Sequence, residues 1–353
     1  MKRELKMMTC VCLAGMSTMT FAAGQPGKKS GDMFKVYGQL RVSIDSKSED
    51  FGAGKKGVSI ASNASRVGAK GKFKTNMPGT AAIYQAELRY EATDSVNGTS
   101  GKQVEFREGY AGLASKQWGR VRLGRLSVPY KTTLTKIDPW NDNIPQSRSG
   151  GRQGTSELHS SYFNNAIEYM TPKFGGGLVA GIWAASEFDN SSKPLHNTGT
   201  LKNFTGGTAA GAGVKYKAGP VLIGVDYIDI NADAITKPKL TNGNGWQIGG
   251  KYQFNKLFSA AALYEDVNDL GLGKNIYVNA ILKSGKTRYI LGYGQNRDGE
   301  VYGNKDWNNL SLGLKRSIGH KSEIFLAYNT RQDDTGGKDF NSVTGGFNIK
   351  FGY

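Results

Sequence analysis

The sequence predicts an all-β fold: a 16-stranded antiparallel transmembrane β-barrel with short periplasmic turns and long external loops. Three observations predict it. Apolar and polar residues alternate with period two in segment after segment along the chain. The links between those segments alternate between short and long. The 353 residues are only 38% hydrophobic, with a mean hydropathy of −0.46, which argues against a polytopic helical protein whose every span needs roughly 20 apolar residues.

The first segment stands apart. Lys2, Arg3 and Lys6 precede a mostly apolar run from Met7 to Phe21, and the small residues Ala22, Ala23 and Gly24 follow. That is the layout of a cleaved secretory signal, so residues 1–23 are expected to be removed, with the cut within 22–24 and a single β-barrel domain over 24–353. Both cysteines, Cys10 and Cys12, fall inside the signal. The mature chain then has no thiol for a disulfide, a metal or a nucleophile. Loss of Lys2, Arg3, Lys6 and Glu4 lowers the formal charge from +17 to +15.

The strands follow in order. In 34–44, Phe34, Val36, Leu40, Val42 and Ile44 share one parity, and Lys35, Tyr37, Gln39, Arg41 and Ser43 share the other. Successive side chains of a strand point to opposite faces, so the segment has one apolar and one polar face. Residues 80–90 and 246–254 repeat the pattern, and 343–353 shows it most cleanly: Val343, Phe347, Ile349, Phe351 and Tyr353 alternate with Thr344, Asn348 and Lys350. Weaker segments lie near 65–73, 105–114, 119–125, 163–171, 177–185, 208–216, 221–229, 257–265, 274–282, 287–294, 308–315 and 322–329, which completes 16. No helical pattern follows residue 25. Short links such as 76–79, 217–220, 255–256 and 283–286 carry turn chemistry. Long polar links run over 46–62, 92–104, 126–161, 186–207, 230–245, 266–273, 295–307 and 330–341.

A soluble sheet protein of this size needs two layers of Leu, Ile and Val. The apolar face here is instead rich in Tyr, Phe, Gly and Ala, and its opposite face bears charges and amides, as a wet interior requires. In hydrocarbon every unpaired backbone group is expensive, so the sheet must close on itself. Closure also removes the edges.

At several places the chain resembles the general diffusion porins of Gram-negative bacteria, of the type found in Neisseria and Burkholderia relatives. The resemblance is carried by Val36-Tyr37-Gly38-Gln39-Leu40, Ser65-Arg66-Val67-Gly68-Ala69-Lys70-Gly71 and Ala82-Ile83-Tyr84-Gln85-Ala86-Glu87. It continues through Arg107-Glu108-Gly109-Tyr110-Ala111-Gly112-Leu113, Gly119-Arg120-Val121-Arg122-Leu123-Gly124-Arg125 and Asn165-Ala166-Ile167-Glu168-Tyr169-Met170-Thr171-Pro172. Order and spacing carry it, rather than any one motif. The family's terminal Phe, an assembly signal, is replaced by Tyr353, with Phe351 on the same parity. The resemblance implies an outer-membrane homotrimer, a passive aqueous pore for small hydrophilic solutes, and a third external loop folded into the lumen. That loop is 126–161, holding Asp138, Asp142, Arg148, Arg152 and Glu157.

A pore selects by width and by the fixed charges that line it. The basic wall candidates are Arg41, Arg66, Lys70, Arg107, Arg120, Arg122 and Arg125. Arg66, Lys70 and Lys72 share one parity, as do Arg120 and Arg122; these are expected to face the lumen, because Arg or Lys toward mid-depth lipid costs roughly 2–4 kcal/mol. Arg125 has the opposite parity and is expected at the loop root. Asp138, Asp142 and Glu157 are expected opposite the wall, creating a transverse field. The mature charge favours anions as the preferred solutes. Tyr90, Tyr110, Trp118, Tyr169, Trp183, Tyr252, Phe254, Phe351 and Tyr353 are expected in interfacial girdles.

Other classes are weaker. A hydrolase needs a nucleophile with a base in reach, and His159, His196 and His320 all fall in loops or turns. Nucleic-acid binding needs a contiguous basic patch, whereas the bases here are scattered among acids at strand spacing. No cofactor, phosphate-cradling loop or metal spacing is present in the sequence. A substrate-specific channel and a non-conducting barrel adhesin stay open, since either would put its specificity in the loops.

Overall fold

The computed structural model describes residues 33–50, 56–93, 104–147, 158, 162–187, 203–300, 306–333 and 339–352. The signal segment, Arg148, Arg152, Glu157 and Tyr353 lie outside the described residues. The strands are β1 (Met33–Lys47), β2 (Gly57–Ser62), β3 (Arg66–Lys74), β4 (Thr80–Tyr90), β5 (Val104–Ser115), β6 (Gly119–Leu126), β7 (Phe163–Met170), β8 (Leu178–Ser186), β9 (Phe204–Thr205) and β10 (Thr208–Ala218). They continue as β11 (Val221–Asn231), β12 (Ala234–Ile235), β13 (Gly243–Gln253), β14 (Phe258–Asp266), β15 (Lys274–Ser284), β16 (Thr287–Arg297), β17 (Trp307–Gly319), β18 (Ser322–Asp333) and β19 (Phe340–Phe351).

Neighbours pair antiparallel throughout, and β1 pairs with β19 from Gly38↔Phe351 to Lys47↔Ser342, which closes the barrel. Two departures reconcile the strand list with 16 crossings. β2 and β3 both pair with β1 and form one crossing broken at 63–65, where Ala64 has φ 58°. Ser65 Oγ accepts from the Arg41 amide at 3.0 Å and mends the break. β9 and β12 pair only with each other, as a small ribbon apart from the barrel sheet. The expected loop 46–62 is therefore shorter, since 57–62 is strand. The other expected long and short links fall where the alternation placed them, and short turns also close β5–β6, β7–β8 and β17–β18.

The period-two pattern becomes an outside and an inside. Ile182 and Leu312 are 61% and 58% exposed on the outer face, while Gln247, Glu265 and Asn275 are fully buried within. An apolar belt of this extent would be a liability in water and is what a hydrocarbon solvent requires. At the short-turn rim Tyr252 meets Phe254 edge-on at 4.9 Å, and Phe254 stacks on Phe258 at 5.1 Å, forming part of the expected girdle. Two girdle expectations fail. Trp183 points inward and packs on Phe163 at 4.5 Å. Tyr110 also points inward, where its ring underlies Arg122 at 4.7 Å. Both rings are needed to fill the interior near the third loop.

That loop enters the barrel after β6 with one helical turn, α1 (Pro129–Thr132), which the sequence pattern did not indicate. It then travels along the inner wall. The wall accommodates it with glycines that pair across strands, Gly181 with Gly213 and Gly224 with Gly249. A Cβ on Gly224 would collide with Thr133 Cγ2 and stand 2.9 Å from Leu134 Cδ2; one on Gly213 would lie 2.9 Å from Pro129 Cβ. Leu134 and Ile137 pack with Leu222, Leu263 and Tyr277, and Trp140 packs with Ile281, Ile290 and Phe325. Polar rungs add direction. Gln247 Nε2 donates to the Tyr130 carbonyl at 2.6 Å, Asn279 Nδ2 to the Ile137 carbonyl at 2.9 Å, and Lys315 Nζ to Asn143 Oδ1 at 3.3 Å.

Candidate pore constriction

The wall left bare by the loop runs from β1 through β7, and its interior is a ladder of arginines and carboxylates. Arg107 Nε donates to Glu87 Oε1 at 2.8 Å, and Arg66 lies 3.9 Å from the same oxygen. Arg89 approaches Glu105 at 3.7 Å. Arg122 reaches Glu168 at 2.7 Å and Glu108 at 3.2 Å, while Arg120 shares Glu168 at 2.9 Å. Lys70 sits over the Tyr37 ring at 4.7 Å, and the Tyr37 hydroxyl donates to Glu87 at 2.9 Å. Glu168 is completely buried, so its charge is spent on the two arginines beside it.

Two irregularities bring residues together that simple parity separates. The β4–β5 register slips between Glu87 and Leu88, which leaves Arg107 as an extra residue and turns both Arg107 and Glu108 inward. A second slip follows Gly124, whose φ of 141° suits only glycine. Arg125 thereby joins the cluster despite its opposite parity: Nε donates to the Arg107 carbonyl at 3.0 Å, Nη1 donates to Asn164 Oδ1, and the guanidinium lies over the Tyr162 ring at 5.4 Å. Burial pushes the Tyr162 phenol above its ordinary value, and burial followed by nearby Glu265 does the same for Tyr130, so both act as neutral hydrogen-bonding groups. Tyr130 donates to Glu265 at 2.6 Å, and Tyr162 accepts from Arg107 Nη2 at 2.6 Å.

Of the loop acids expected opposite the arginines, the two described ones, Asp138 and Asp142, do not stand across a gap from them, while Glu157 lies outside the described residues. Asp142 is docked onto the wall, bonded to Arg41 at 2.7 Å and Arg66 at 3.2 Å. Asp138 folds back on its own loop and accepts from the amides of Trp140 at 2.8 Å and Ser147 at 3.0 Å. Both acids hold the loop in place. The loop instead exposes Lys136, which acts electrostatically on Lys215 of β10, as do Lys217, Arg120 and, with the opposite sign, Asp226 of β11.

Between the loop and the wall on the short-turn side is a polar cavity of about 770 Å³. Lys116, Arg120, Arg122, Lys173 and Lys215 line it, and Glu108 is the one carboxylate among its lining residues. Glu108 is already engaged by Arg122 and by the Ser127 hydroxyl at 2.7 Å. Lys116, Lys136 and Lys173 make no salt bridge among the described residues, while Lys215 is near enough to buried Asp226 of β11 for the two charges to attract. The lining of this cavity therefore carries five basic side chains and one carboxylate.

The Gram-negative porin family model matches residues 9–348. The chain belongs to the Gram-negative porin family. An outer membrane porin protein of Bordetella pertussis is 25% identical over 74% of this chain and 66% of its own length. The major outer membrane protein P.IB of Neisseria sicca is 24% identical over 88% and 92% of the two chains. Among solved structures, an anion-selective porin from Comamonas acidovorans superposes with a TM-score of 0.71 at 18% identity, covering 91% of this chain and 100% of that one. At that identity the likeness shows the fold. The protein is thus an integral outer-membrane β-barrel of the porin family.

The porin's sequence candidates fall into three groups. Arg41, Arg66, Arg107, Arg120, Arg122 and Arg125 converge inside the barrel, with Lys70 nearby. Asp138 and Asp142 serve the loop. Phe351 lies on the outer rim beside the β1–β19 seam, 48% exposed. Sequence reasoning missed Glu87, Glu108, Glu168, Lys136 and Lys215. The three glutamates stand inside quoted motifs, and the signal that finds them is the need for a partner: inward arginines at mid-depth require carboxylates two strands away or nearer.

Proposed function

We propose that this porin forms a passive, water-filled channel for small hydrophilic solutes, prefers anions, and works as a homotrimer without cofactor or catalysis. The observation that carries the preference is the cavity on the short-turn side, whose lining holds five basic side chains, Lys116 and Lys173 among them without a salt bridge, against Glu108 as its one carboxylate, which Arg122 and Ser127 already engage. A small anion entering it gains from several cations at once, while a cation meets like charge in a narrow path. Asp138 and Asp142 are engaged in holding the loop, which takes two described acids away from the passage. The anion-selective porin of Comamonas acidovorans supports the same sign. The homotrimer rests on the family resemblance.

Planar-bilayer recording in a salt gradient tests the reading. The expected result is stepwise conductance in groups of three with a zero-current potential of the sign set by chloride. A potential set by potassium would refute the anion preference, and an absence of steps would refute the channel.

A further inference from the structure

Among the described residues, the lipid-facing wall has a hollow. It lies between β11 and β17, toward the short-turn end, as an apolar groove of about 600 Å³. The register explains it. Gly250 pairs with Ala262, and Ala260 pairs with Ala280, so four small outward residues on adjacent strands form a floor. Tyr252 stands beside Ala260 on one side and Leu291 beside Ala280 on the other, both well exposed. Its outward lining is apolar apart from the Tyr252 and Tyr293 hydroxyls, which suits a hydrocarbon chain.

A second observation lies directly below it. Each of the seven short turns carries an exposed lysine at or beside it, from Lys74 in the first to Lys321 in the last. The described acid at that rim, Glu323, is held by Lys315 at 3.0 Å and by Arg288. Under the groove the cations are Lys256 in the β13–β14 turn, Lys286 in the β15–β16 turn and Arg316 near the end of β17, all exposed. The two turns are two strand spacings apart, about 10 Å. Arg316 Nη1 donates to Thr287 Oγ1 at 3.1 Å, which leaves its remaining donors at the rim. The aromatic row Phe254, Phe258 and Tyr289 lies between the groove and these cations, at the level where rings mark the hydrocarbon boundary.

We propose that this face is a binding site for an anionic phospholipid of the inner leaflet, its acyl chain in the groove and its phosphate among Lys256, Lys286 and Arg316. A phosphodiester matches both the charge and the donors, and a chain fills space that the small residues leave open. The site lies on the outer wall and is independent of the ion preference of the lumen.

Native mass spectrometry of the full-length porin, offered equal amounts of phosphatidylglycerol and phosphatidylcholine, tests it. Retention of phosphatidylglycerol is expected to exceed that of phosphatidylcholine about tenfold. The Lys256→Gln/Lys286→Gln/Arg316→Gln variant is expected to bring the ratio close to one, and Lys72→Gln/Lys74→Gln/Lys217→Gln, elsewhere on the rim, is expected to leave it unchanged. Ala262→Phe/Ala280→Phe fills the groove and is expected to cut total retained lipid with the oligomer mass unaltered; should it not fold, the two charge variants decide. Equal retention by the native porin, or an equal loss in both charge variants, overturns the proposal. So does dissociation of the oligomer by the groove-filling variant, which would make this face a contact between copies. Preferred capture of an anionic peptidoglycan fragment in a mixed competition would also overturn it.

Discussion

The two halves of the barrel interior are built from the same alternation and do opposite things. From β1 to β7 the inward positions carry arginines laced to Glu87, Glu105, Glu108 and Glu168. From β8 to β18 they carry glycine, Leu, Tyr and amides with the buried Asp226, Glu265 and Lys315 among them, and the third loop lies against them with Trp140 and Ile137 as its anchors. One wall meets the loop through ion pairs at its tip; the other receives it mainly by apolar packing and close glycine contacts. The lesson is that the pose of the loop is set by the wall it lies on as much as by its own residues. Its described acids, Asp138 and Asp142, are engaged where it turns back on itself and where it docks.

The largest effect should come from removing the anchor. Trp140→Ala empties a fully buried site among Ile281, Ile290 and Phe325, a loss of about 3–5 kcal/mol for a core aromatic. The loop should detach from the wall, and single-channel conductance should rise and become noisy. Gly224→Val, which drives a side chain into Thr133 and Leu134, should do the same from the wall side. An unchanged conductance in both would mean that the loop is not held by this packing.

Next is the charged wall. Glu168→Gln strands Arg120 and Arg122 beside a neutral group where a buried carboxylate had held both. A cost of about 3 kcal/mol is expected, read as a lower temperature for loss of the heat-modifiable barrel band on gels. Anion preference should increase at the same time. A variant as stable as the parent would show that this pair contributes little.

A smaller effect is expected where the halves meet. Asp142→Asn keeps the shape of the loop tip but removes its charge from Arg41 and Arg66. Weakening of roughly 1–3 kcal/mol at that contact should appear as faster proteolysis of the loop and a modest further shift toward anions. A shift toward cations would contradict the assignment of Asp142 as a tether.

The contrast also separates what was readable in the sequence from what was not. Every barrel strand was legible, because a face that meets lipid and a face that meets water impose period two on each crossing independently. The break at 63–65 was hidden because Gly57–Ser62 and Arg66–Lys74 are short and flank a polar Asn-Ala-Ser. The inward basic residues were legible from the cost of arginine in hydrocarbon. Their partners were less so, since a one-residue slip at Glu87 turns Arg107 and Glu108 to the same side. Trp183 and Tyr110 misled because a ring on a barrel strand is as suitable for packing a loop as for an interface. The roles of Asp138 and Asp142 depend on where a 36-residue excursion comes to rest, and local pattern holds little information about that.

The central claim is that lumen lysines, rather than acids on the loop, set the field in the passage. The most direct measurement is the zero-current potential of Lys136→Gln/Lys215→Gln beside the parent porin in the same potassium chloride gradient. The account predicts an anion-directed potential in the parent that falls by more than half in the variant, with conductance steps preserved. A potential that the double substitution leaves untouched would contradict it.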